Sequence, residues 1–154
     1  MASSTNAREF RKSVHDQCVE LYAGSDPYTR VVRGAPSFET SVDTVAVGAV
    51  TTEQEFAVYG ATRQREESLA CEVIFYSFRF GGEAMEEVVE DRAWDMANQL
   101  AEYARVTDNT FGGVVREAYM SSAVADDATD ARVMAAGRLY VIRVVISAKN
   151  RVRS

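Results

Sequence analysis

The sequence predicts an α+β fold: one mixed or antiparallel sheet of about five strands, with two helices packed on it. Three observations point there. An N-terminal stripe of apolar residues recurs at helical spacing. A long apolar strand, Glu67–Phe80, runs into an amphipathic helix, Glu83–Val106, and then into two more strands, Val114–Val124 and Leu139–Ala148. The 154-residue chain is 47% hydrophobic and 26% charged, which suits one ordinary globular domain without staples.

The elements follow in order. Residues 1–6 are small and polar and read as a disordered tail, ahead of a single domain over 7–150. Ala7, Phe10, Val14, Cys18 and Leu21 form one helical stripe, with Asn6 as N-cap, Glu9 as its capping-box partner and Gly24 as the stop. Thr29–Arg33 is a short strand. Thr44–Val50 and Glu55–Gly60 read as two further strands. The polar run Ala61–Glu67, with Arg63 and Arg65, reads as a hairpin tip or loop.

In Ser68–Phe80 one face carries Leu69, Cys71, Val73, Phe75, Ser77 and Arg79, and the other Ala70, Glu72, Ile74, Tyr76, Phe78 and Phe80. Both faces are largely apolar, whereas a strand in a one-sided sheet alternates apolar with polar. A helix of the same chain or a neighbouring subunit must therefore cover the second face, which makes Phe78 and Phe80 candidate interface residues. Gly81-Gly82 breaks the strand. The next helix buries Met85, Val88, Val89, Ala93, Met96, Ala97, Leu100, Ala101 and Ala104, and its first-turn acids suit the helix dipole. Trp94 lies about 120° from the stripe centre, on the flank, as a half-buried residue or an interface anchor. Asp108–Gly113 is a turn, Asp126–Asp130 an acidic loop, Ala131–Ala136 a strand start or helical turn, and residues 151–154 a basic tail.

Composition narrows function. The net charge of −6 argues against a surface that grips many phosphates. No run of about 18 apolar residues spans a membrane, and charged residues interrupt any signal-like start, so a cytoplasmic place of synthesis and assembly is expected. The two cysteines, Cys18 and Cys71, sit among apolar neighbours and read as core residues. His15 is the single histidine and reads as a surface residue. No nucleophile elbow, zinc spacing, EF-hand or phosphate loop occurs, so neither cofactor nor metal is expected. The enzymatic alternative is a small α+β barrel that pairs an acid with His15.

The order of elements from about Glu66 to Asn150 resembles the tail-terminator, or tail-to-head joining, family of long-tailed bacteriophages. The matching pieces are Arg65-Glu66-Glu67, the strand Leu69–Phe75, the helix with Arg92-Ala93 and Leu100, the turn Asp108–Val114, and the last strand Tyr140–Lys149. The chain is longer than the family pattern at Ser37–Thr52 and Asp126–Ala136. The resemblance implies a virion protein of the tail neck. A six-membered ring would cap the finished tail tube, stop its polymerisation and receive the head's connector, while DNA slides through an acidic lumen. Partners would be further copies of the chain, the tail tube protein and the head-completion protein. Contacts are expected at Trp94, Phe78 and Phe80, at Arg63 and Arg65, in Ser37–Asp43, and at Asp126 and Asp127. A head-completion or stopper protein is the nearest alternative.

Overall fold

The computed structural model describes residues 5–23, 29–34, 43–58, 64–127 and 137–153. Helix α1 (Ala7–Cys18) continues into one π-helical turn, Val19–Ala23. Strands β1 (Thr29–Arg33), β2 (Asp43–Val58) and β3 (Gln64–Phe80) follow. Helix α2 (Met85–Glu102) also continues into a π-helical turn, Tyr103–Thr107. Strands β4 (Glu117–Asp127) and β5 (Gly137–Arg153) complete the described elements. The strand order is β1-β2-β3-β5-β4 in one five-stranded sheet. β1 runs parallel to β2, and all other pairs are antiparallel. The expected α+β architecture is therefore present, as a mixed sheet with both helices on it.

Both helices pack on one face. Phe10, Val14 and Cys18 of α1 and Val89, Ala93, Met96, Ala97 and Leu100 of α2 meet Leu69, Cys71, Val73 and Phe75 of β3 and Ile142, Val144 and Ile146 of β5. The register explains the shared core: Val73 pairs with Val47 on one side and Val144 on the other, and Phe75 with Val45 and Ile142. Residues opposite one another across antiparallel strands project to the same face. The cluster of Phe78, Leu139 and Val141, with Ile74 and Tyr76 packed against it, lies on the opposite face.

The structure corrects several expectations. The two strand candidates Thr44–Val50 and Glu55–Gly60 are one 16-residue strand as far as Val58. The polar Thr51–Gln54 piece stays paired to β3 because ladder hydrogen bonds do not depend on which side chains are apolar. For the same reason β3 begins at Gln64, so Arg65, Glu66 and Glu67 lie on a strand and not in a loop, and β5 runs through the basic residues to Arg153. Asp126 and Asp127 end β4 and are not in a loop. Val114–Arg116 precede β4, which starts at Glu117. Val88 is 42% exposed, off the buried stripe. In α1, Tyr22 rather than Leu21 is fully buried, since a π turn has more than four residues and moves the buried position one place on. Gly24, Ser37–Val42, Gly60, Arg63 and Ala128–Ala136 lie outside the described residues.

Bulges bend two strands. β2 carries one extra residue between Val47 and Val50, at Gly48-Ala49, and another between Phe56 and Val58, and β4 carries one between Met120 and Ser122. Gly48 is suited to its bulge, because an added Cβ would lie 3.2 Å from the Glu72 carbonyl oxygen.

Candidate functional site

Two buried carboxylates pin the helical layer, one at each end of the sheet. Asp43 opens β2 in phase with Val45 and Val47 and is fully buried. Its Oδ1 accepts from Ser77 Oγ (2.8 Å) and Arg79 Nη1 (2.6 Å), and its Oδ2 from Arg79 Nη2 (3.0 Å) and Arg92 Nε (2.9 Å). Arg92 also donates to Thr29 Oγ1 at 2.9 Å, so one carboxylate joins β1, β2, β3 and α2. Burial alone would raise the Asp43 pKa; hydrogen bonds from Arg79, Arg92 and Ser77 overcome it and hold it below the usual carboxylate range.

Glu67 sits on β3 in phase with Leu69 and Cys71 and is likewise fully buried. It accepts from Thr5 Oγ1, the Asn6 N–H (3.0 Å), Thr52 Oγ1 (2.7 Å) and Gln54 Nε2 (3.3 Å). Burial pushes its pKa up and these donors bring it below the usual range. The capping-box expectation is corrected here. Asn6 makes no side-chain cap and instead donates Nδ2 to the Val114 carbonyl at 2.8 Å, while the carboxylate at the start of α1 comes from Glu67 and not from Glu9. Thr5 and Asn6, read as part of a disordered tail, are thus tied to the sheet.

The groups that chemistry would need are placed for packing. Cys18 and Cys71 are free and buried. Burial pushes the Cys71 thiol up to about 12 and that of Cys18 higher still, so both stay protonated and unreactive. His15 Nδ1 lies 3.3 Å from the exposed Asp16 next to it. Among the described residues no group of His, Cys, Asp or Glu is placed to hold a metal ion, and no helix is long and apolar enough to cross a membrane.

The surfaces are more informative. Trp94 is half-buried against the main core. Phe78 is buried in the opposite-face cluster and makes an edge-to-face contact with Phe80 (centroids 5.2 Å apart), which is 59% exposed. Only Phe80 of this pair offers free apolar area. On the same face, Tyr119 and Val124 of β4 are exposed, and β4 is an edge of the sheet. The outer side of α2 carries Glu86, Glu87, Glu90, Asp91, Asp95 and Glu102, all exposed. Beside it a groove of about 590 Å³ runs between α2 and the π turn of α1, lined by Leu21, Arg92, Asp95, Asn98, Glu102 and Tyr103 among others.

Sequence reasoning missed Asp43, Glu67 and this groove. For the two carboxylates a signal was present: each occupies an apolar-phase position of its strand, where an unpaired charge is not tolerated. The groove depends on how the π turn of α1 meets α2, which no local pattern encodes.

No family model and no curated protein matches the chain. Among solved structures, a chain from the virion of a native gene transfer agent particle matches with a TM-score of 0.52 at 15% identity, over 99% of this chain and 100% of that one. The two share a fold from end to end.

Proposed function

We propose that this chain is a structural virion protein of the tail-terminator type: a ring that caps the completed tail tube, stops its growth and presents the surface to which the head's connector attaches. The observation that carries the reading is the end-to-end likeness to a chain of a gene transfer agent virion, a phage-like particle, with no long segment left over in either chain. The reading is structural rather than catalytic. Both cysteines are sealed in the core, and the two buried carboxylates are saturated with donors that join secondary-structure elements. The strand–helix–strand core from β3 through α2 to the last strands favours a terminator over a head-completion protein.

The test is mass in solution and on tubes. Light scattering over a concentration range, with electron microscopy, should find a ring of six either free or on the ends of purified tail tubes. A chain that stays monomeric and ignores tube ends would sink the reading. Binding to the portal vertex of filled heads instead would establish the stopper alternative.

A further inference from the structure

The groove beside α2 has the chemistry of a seat for long cationic side chains. Leu21 and the ring of Tyr103 offer apolar surface for an aliphatic stem, and Asp95 and Glu102 offer carboxylates for the head group. The cation already in the groove, Arg92, is engaged by Asp43 and Thr29. Glu102 holds Arg105 in an exposed pair at 2.6 Å. Asp95, and Asp91 one turn before it, make no ion pair among the described residues, although like charges four residues apart on a helix repel.

The cations that match lie on the same chain but on the other side of its sheet. Lys149 and Arg151 of β5 are exposed and two residues apart, hence on one face. That face is the one away from the helices, because Ile146 and Ala148 take the alternate phase into the core. Arg151 and Arg116 share the single carboxylate of Glu66, with Arg151 Nε 3.7 Å from it, and Lys149 has no ion pair among the described residues. The spacings agree. Alternate strand residues are about 7 Å apart, and residues one helical turn apart are about 6 Å apart. Because the sheet separates the two patches, one molecule cannot bring them together.

We propose that the acidic groove of one copy seats the basic end of β5 from a second copy, with Lys149 and Arg151 set against Asp95 in the groove and the exposed Asp91 one turn before it, outside the groove lining. The inference rests on the ring reading and names the contact that closes it. Two different patches make a head-to-tail interface, the kind that generates rings.

The test uses two doubly reversed chains, Asp91→Lys/Asp95→Lys and Lys149→Glu/Arg151→Glu, each first shown to be folded by a cooperative thermal melt, the second with a slightly lower midpoint because Arg151 faces Glu66 across the ladder. Assembly is followed in solution and on tube ends. Each variant alone is expected to need more than tenfold higher concentration to assemble. An equal mixture should return to within about threefold of the wild type, since alternating copies restore every contact in an even-membered ring. A wild-type ring whose variants assemble unchanged, or whose mixture stays as impaired as its parts, overturns the contact and leaves the ring reading standing. A wild-type chain that never assembles in either setting overturns both.

Discussion

Asp43 and Glu67 show how much one buried carboxylate can organise when every lone pair finds a donor. Each has a folded pKa held below its ordinary value of about 4. The stabilisation they give is therefore fully present above that range and is lost as the pH falls through the lower folded values. Thermal melts should be flat from about pH 8 to 6 and fall below about pH 4, with Asp43→Asn and Glu67→Gln each flattening that acid limb; a limb unchanged in both variants would remove the assignment. Asp43→Ala removes the carboxylate that Arg79 and Arg92 share and should cost about 3 kcal/mol in denaturant unfolding. Phe111 carries a different load. Its φ of 46° places a non-glycine residue in the left-handed region, yet its ring is fully buried between Phe10 and Tyr103. The turn is set by Asp108, which accepts from the N–H groups of Thr110 and Gly112, and by Ser13, which donates to the Phe111 carbonyl at 2.6 Å. Phe111→Ala should cost about 3–5 kcal/mol through the lost ring packing alone, since the alanine Cβ keeps the backbone strain.

At the level of elements, apolar periodicity made both helices, the two faces of β3 and the buried face of β5 legible in the sequence. What it missed has one physical cause. Periodicity reports which side chains are packed, whereas strand limits are set by backbone pairing. Thr51–Gln54, Gln64–Glu66, Arg151 and Arg153 are polar and paired all the same. The interaction surfaces were less legible, because exposure depends on the neighbours that topology supplies: Phe78 and Phe80 share a strand face, but only Phe78 is covered. The start of β5 offers a test of the register. A Cβ at Gly137 would lie 2.1 Å from the Arg79 carbonyl oxygen and 2.8 Å from Phe78 Cζ. Gly137→Ala should force the end of the β3–β5 ladder apart and destabilise by about 1–3 kcal/mol, read as a lower midpoint in urea at constant slope.

For the whole molecule, charge distribution is the property with most bearing on assembly. The chain carries −6, with carboxylates gathered along α2 and cations at the end of β5. Duplex DNA should show no retardation by the protein at about 0.1 M salt, since too few basic groups are free to displace counterions; tight, salt-sensitive binding would overturn the view that DNA passes a ring of these chains without being held. The strand order has a consequence in time as well as in space. β5 is the last described strand to be made, yet it lies between β3 and β4 and pairs with β3 along its whole length, from Gln64 with Arg153 to Phe80 with Gly137. Until that segment has left the ribosome, β3 keeps one open edge and the core lacks Ile142, Val144 and Ile146. Pairings this distant along the chain are slow to form. The sheet therefore cannot be completed before β5 has been made, and a nascent chain stalled before Gly137 is exposed to aggregation in a way the completed sheet is not.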